Sequence, residues 1–210
     1  MMVRTAKELR AAARASLSGK WAGAVLMALV YLLLMGFVPG VLNVYPEDGN
    51  WGNLLQLLLM PMAYGMLVAF LDNIRSGGAY QVGQLFRGFS EYGRVLGTGV
   101  LVGVYTFLWT LLLVVPGIIK SYSYAMTYYV LRDHPELQFN GAINRSMDMM
   151  KGHKFDLFYL QLTFIGWALL CILTAGIGLL WLVPYMDAAQ AHFYEDLKAD
   201  YEARTRQVEA

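Results

Sequence analysis

From Leu96 to Val115 the chain reads LGTGVLVGVYTFLWTLLLVV, an uncharged stretch of 20 residues that meets Pro116-Gly117 and continues as IIKSYSYAMTYYVLR to Arg132. About 20 apolar residues in helical conformation cover the ~30 Å hydrocarbon core of a bilayer, so this stretch predicts a membrane-crossing helix. Proline withholds a backbone donor and glycine permits a reversal, so the chain is expected to turn at 116–117 and to return through 118–131 as a shorter crossing. Lipid leaves no exposed backbone group unsatisfied, and a chain built around such a feature folds as helices throughout. The composition agrees, because 58% hydrophobic and 15% charged residues place it outside the range of ordinary soluble domains.

The same reading extends along the chain. Apolar segments near 21–38, 54–71, 96–115, 118–131, 155–173 and 177–193 predict six spans in one transmembrane domain covering 1–210. Pro61 lies inside the second, where a kink is expected, and Pro184 either kinks or opens the sixth. Residues 1–20 set Leu9, Ala13 and Leu17 at helical spacing beside Arg4, Lys7, Arg10 and Arg14, which suggests an amphipathic interfacial helix. Gly141 to Met150 suggests a second, with Ile143, Met147 and Met150 on its apolar face. Residues 195–210 are expected to form a charged helical tail. The fold class is therefore an all-α polytopic helical bundle, three membrane hairpins in series plus interfacial helices.

Charge sorts with this topology. With six spans, every Lys and Arg except Lys120 falls on one side, and the positive-inside rule makes that side cytoplasmic, together with both termini. The segment from Asn43 to Asn53, with Pro46, Glu47 and Asp48 and no basic residue, then lies outside. Gly19-Lys20-Trp21, Gly88 to Arg94 and Gly152 to Phe155 precede three of the spans; a true repeat and three similar outward crossings both explain this.

Chemistry is harder to find. No phosphate-binding loop, zinc-binding helix or nucleophile elbow is present, and Gly88-Phe89-Ser90-Glu91-Tyr92-Gly93 misses the last pattern by one residue. His134, His153 and His192 lack ligand partners at metal spacing apart from Glu195 three residues after His192. The lone Cys171 forms no intramolecular disulfide. No enzyme, cofactor or metal is expected. Ionisable groups at membrane depth are costly, so Lys120 and Asp187, each shortly after a proline, are the candidate intramembrane pair or site, with Tyr122 and Tyr185 beside them. Separate snorkelling to water is the alternative. Lys151, His153 and Lys154 are the candidate contacts to anionic headgroups on the cytoplasmic side. The bilayer is the expected partner and nucleic acid is not; a homo-oligomer stays open.

Arg14, Leu17, Gly19 and Trp21, then Pro116-Gly117-Ile118 with Lys120 and Tyr122, are the first elements of a longer pattern. It continues in Ser146-Met147, in Met149 to Lys154, in Gly166-Trp167, in Pro184-Tyr185 and in Phe193-Tyr194. In these residues the chain resembles the bacterial membrane family called domain of unknown function 975. The resemblance implies an integral protein of a bacterial plasma membrane and supplies no catalytic residue. The functional expectation is a non-enzymatic accessory, scaffold or lipid-interacting component. A small transporter or transporter subunit, with a site at the Pro116 and Pro184 breaks, is the alternative.

Overall fold

The computed structural model describes residues 3–44 and 51–209, and every regular element in them is helical. The acidic Pro46-Glu47-Asp48 segment lies outside the described residues. Helix α1, Ala6–Leu17, opens on a capping box in which the Thr5 hydroxyl accepts from the Glu8 N–H and the Glu8 carboxylate accepts from the Thr5 N–H. After it come α2, Trp21–Leu42, and α3, Trp51–Ser76. A 3-10 segment, Val82–Phe89, leads into α4, Tyr92–Leu112. Then follow α5, Val114–Tyr124, α6, Thr127–Asp133, and α7, Asn140–Met149. The last two are α8, Lys154–Leu173, and the 31-residue α9, Leu179–Glu209.

Among the described residues four helices, α2, α3, α4 and α8, are long and apolar enough to cross a membrane. The remaining two expected spans look different. The 118–131 stretch is divided by a turn at Ala125-Met126 into α5 and α6. Around that turn the hydroxyls of Ser121, Ser123 and Thr127 donate to the carbonyls of Ile118, Ile119 and Tyr124; such back-bonding competes with the helix ladder and bends it. The sixth stretch is the start of α9, which runs on unbroken through the buried Pro184 into its charged half.

Two breaks fall elsewhere than expected. The chain leaves α4 at Leu113, whose φ of −160° and ψ of 138° are extended, rather than at Pro116-Gly117. Pro116 sits in the first turn of α5, where its missing donor has no intrahelical partner to lose. Gly117 is required for another reason, because a Cβ there would overlap Thr110 of α4. In α3 the interruption is a turn at Met60, and Pro61 opens the second half.

Successive helices meet at both ends. At one end Lys20 Nζ, just before α2, donates to the Gly77 carbonyl after α3 at 2.6 Å. Arg94 Nη1, at the start of α4, donates to the carbonyls of Leu131 and Leu137 at 3.2 Å each, at and beyond the end of α6. The Arg204 guanidinium of α9 reaches the carbonyls of Met149 and Lys151 ahead of α8 at 3.3 and 3.4 Å. At the far ends Gln56 Nε2 of α3 donates to Met35 O of α2 at 3.0 Å. There too the Gly178 N–H, at the start of α9, donates to Thr174 Oγ1 after α8 at 3.0 Å.

The core is centred on α9. Ala188, Ala189 and Ala191 are fully buried and admit α1, α2 and α3 close to its axis. Leu9, Ala13 and Leu17 of α1 are spent on this contact. Likewise Ala142, Ile143 and Met149 of α7 are buried, and Ser146 Oγ donates to Ser123 O at 2.8 Å. Both helices expected at the interface therefore cover their apolar faces with protein and turn polar groups outward. The far ends behave in the opposite way, since Leu111 to Val115, Ile172 and Leu173 are all large and exposed, Leu173 at 82%. Contiguous apolar exposure on this scale marks a membrane or protein interaction surface.

Candidate functional site

One face of α3 carries Tyr64, Val68, Asp72 and Arg75-Ser76, a helical spacing that lines up one wall of a polar cavity of about 760 Å³. The opposite wall comes from the Gly78 to Gln81 loop, from Gln84 and Arg87 of the 3-10 segment, and from Arg132 of α6. The 3-10 segment lies tight against α3 because a Cβ at Gly65 would overlap the Leu85 backbone. From Tyr64 to Ser76 the cavity follows α3 for ~18 Å.

The walls are fixed by reciprocal polar contacts. Asn73 and Gln84, both buried, exchange two amide hydrogen bonds of 3.0 Å, and Gln84 Oε1 also accepts from the Gln81 N–H at 3.1 Å. Asp72 is shared by Arg87 and by Arg132, the latter through Nε at 3.1 Å. Two guanidiniums on one carboxylate leave a local excess of positive charge. At the Tyr64 end of the cavity the ring meets Tyr128 edge-on, centroids 5.9 Å apart.

Beside the cavity stands a carboxylate with four hydrogen bonds. Asp133, with a side chain 6% exposed, accepts from both arms of the Arg75 fork at 2.6 and 2.8 Å, from Lys198 Nζ at 2.7 Å and from the Tyr194 hydroxyl at 3.0 Å. Burial pushes its pKa up, but the hydrogen bonds and charges of Arg75 and Lys198 outweigh burial and hold the carboxyl well below the usual range. Arg75 also contacts Glu195 at 2.7 Å. Tyr194 stacks on Tyr129 at 5.0 Å and 19°. Further along α9, Asp196 binds Arg4 at 2.7 Å, and Asp200 binds Arg204 at 2.8 Å and His153 Nε2 at 3.3 Å. A layer of ion pairs thus joins α1, α3, α6, α8 and α9 at the end where the helices begin or end in cations.

The residues singled out from the sequence are placed apart from this cavity. Lys120 lies over the Trp109 ring at 4.8 Å, and among the described residues no ion pair joins it to Asp187. The two sit on helices α5 and α9, and Lys120 is taken up within its own helix pair. Tyr122 donates through its hydroxyl to Gln161 Oε1 at 2.8 Å, and Tyr185 to the Arg10 carbonyl at 3.2 Å. Lys151 pairs with Asp148 on the surface at 2.7 Å. His153 bridges Asp156 at 2.9 Å to Asp200. Lys154 lines a small apolar groove with Phe155 and Phe158. Sequence reasoning missed Arg75, Asp133 and Lys198; no local pattern signals them, although charged residues flanking spans on one side were the available hint. Among the described residues no group of three or more His, Cys, Asp and Glu side chains is arranged to hold a metal ion. The cavity offers convergent cationic donors around an acceptor, an arrangement suited to holding a charged group rather than to supplying a nucleophile.

Residues 110–201 match DUF975, a family described as "Protein of unknown function". The DUF975 segment begins at Thr110 near the end of α4 and runs to Tyr201 in α9, so it contains Asp133, Lys198 and the candidate residues 120–187. It leaves out α1 to α3, and with them Asp72, Arg75 and the Arg14 to Trp21 part of the resemblance. No curated protein and no solved structure matches the chain.

Proposed function

We propose that the protein is a non-enzymatic, lipid-interacting scaffold or accessory component of a bacterial plasma membrane, crossing it six times as three helical hairpins with both termini in the cytoplasm. One observation carries this reading. Cations close each helix pair at a single end, through Lys20, Arg94 and Arg204, while the opposite ends expose Leu111 to Val115 and Ile172-Leu173. Such a polarised bundle fits a bilayer with its basic end in the cytoplasm. The 118–131 crossing is short and is lengthened by the residues from Val114 that open α5, and Arg132 and Asp133 just beyond it bind Asp72 and Arg75. Reporter fusions after Arg75 and after Met150 should both report cytoplasm; an external signal at either overturns the six-crossing topology. Copurification in mild detergent with mass spectrometry should recover anionic lipid.

The cavity favours a second reading, a transporter subunit. The Pro116 break is bordered by exposed apolar side chains and Pro184 lies within unbroken α9, so a solute site would lie between Tyr64 and Arg132 instead. A Tyr64→Cys, Cys171→Ser chain labelled by a membrane-impermeant thiol reagent from the basic side alone would support this reading, and protection from both sides would oppose it.

A further inference from the structure

The cations of the basic end are not all used alike. Arg4, Arg75, Arg87, Arg132 and Lys198 each face a carboxylate. Arg14, the basic residue of the last turn of α1, is exposed and has no ion pair among the described residues. It borders an apolar groove of about 360 Å³ between the start of α2 and helices α8 and α9. That volume lies within the range of small-molecule sites. Trp21, Trp167, Trp181 and Leu182 are among its walls, and Cys171, the only thiol in the chain, lies against its inner side. Tyr185 is held at the basic end of the groove by its hydroxyl bond to the Arg10 carbonyl, with Trp21 6.5 Å away. From there the groove descends along α8 and α9 to Thr174 and Gly178 at the far ends of those helices.

We propose that this groove is a binding site for an anionic phospholipid, with the phosphate on Arg14 and one acyl chain against Trp167 and Trp181. The inference rests on the lipid-interacting reading above and assigns it a place. The complementarity is of two kinds at once. An unneutralised guanidinium at headgroup depth attracts a phosphate, and the groove below it is apolar, aromatic and open toward the lipid-facing surface. A soluble anion would gain from the first alone and a neutral lipid from the second alone. The Lys154 groove, with Ile118, Ile119 and Phe158, has the same plan at about 320 Å³ and serves as an internal control.

The test uses the full chain in mild detergent, titrated with dioleoylphosphatidylglycerol or dioleoylphosphatidylcholine and read by native mass spectrometry and by the rate at which a lipophilic maleimide labels Cys171. The wild type should retain the glycerol lipid about fivefold more tightly than the choline lipid, the effect of one cation near an anionic headgroup, and that lipid should slow labelling. Arg14→Gln should reduce the preference and abolish the protection of Cys171 while keeping choline-lipid binding; Lys154→Gln should keep the protection. Trp167→Ala, at an exposed wall position, should weaken retention of both lipids at this groove and speed labelling. If the glycerol lipid still protects Cys171 in Arg14→Gln, or labelling of the wild type ignores the lipid, the groove assignment fails and the general reading stands. Equal retention of the two lipids by the wild type removes both.

Discussion

Replacing Asp133 by Asn tests whether the ion-pair layer holds the helices together. The carboxylate takes four hydrogen bonds from α3 and α9, from Arg75 twice, Lys198 and Tyr194, and its side chain is 6% exposed. Removing one partner of a fully buried pair costs ~3–5 kcal/mol. Arg75 and Lys198 are 33% and 32% exposed, and Arg75 keeps Glu195, so water and the remaining acid recover part of this. A loss of ~2–3 kcal/mol is expected, with charge-assisted hydrogen bonds at ~1.5–3 kcal/mol each as the guide. At this chain length that lowers the melting temperature by about 5–8 °C. Buried Cys171 supplies the assay, through a maleimide that fluoresces on reaching the thiol as the bundle opens in detergent. Because the folded carboxyl titrates below its unfolded value of about 3.9, its stabilisation is fully present above that value and is lost as pH falls toward the folded one. The gap between wild type and Asp133→Asn should therefore be constant from about pH 8 to 5 and close only below about pH 4. A gap under 1 °C at neutral pH, or one that closes near pH 6, refutes the reasoning.

Other substitutions probe single contacts by the same assay. Tyr129→Phe should be neutral or stabilising, because its buried hydroxyl has no hydrogen-bond partner among the described residues and the stack on Tyr194 survives; a loss above ~1 kcal/mol would contradict this. Gly65→Ala should cost ~1–3 kcal/mol by forcing the Leu85 backbone away from α3, whereas Gly83→Ala, with open space around it, should cost under ~0.5 kcal/mol. Thr5→Ala removes the capping box of α1 and should cost ~1 kcal/mol; no change would mean that α1 is held by Leu9, Ala13 and Leu17 alone.

The apolar runs made most of the helices legible, because a 20-residue uncharged stretch has few alternatives to a membrane helix. Their breaks were less so. Pro116-Gly117 pointed to a turn, but proline is tolerated in a first helical turn, so the reversal falls three residues earlier at Leu113. The pairing of Lys120 with Asp187 was inferred from their similar distances after prolines, a one-dimensional resemblance that does not bring α5 and α9 together at those positions. Asp133 lies 58 residues from Arg75 and 65 from Lys198, and no helical period connects positions so far apart. The polar cavity was illegible for the same reason, its walls coming from α3, a 3-10 segment and α6. Tyr185 was singled out beside Lys120 and Asp187, whereas its hydroxyl donates to the Arg10 carbonyl and its ring lines a groove bordered by Arg14.

The contacts that close the helix pairs also set an order of assembly. Lys20 to Gly77 spans 57 residues and Arg94 to Leu131 37, while Arg204 to Met149 spans 55 and needs α9 itself, so the first two clasps can shut once their own stretches of chain have left the ribosome. The links through Asp133 to Lys198, and through Asp196 to Arg4 across 192 residues, have to wait for the C-terminus. Early helices are thus paired before they are joined to one another, and α9, arriving last, locks finished pieces into a single bundle.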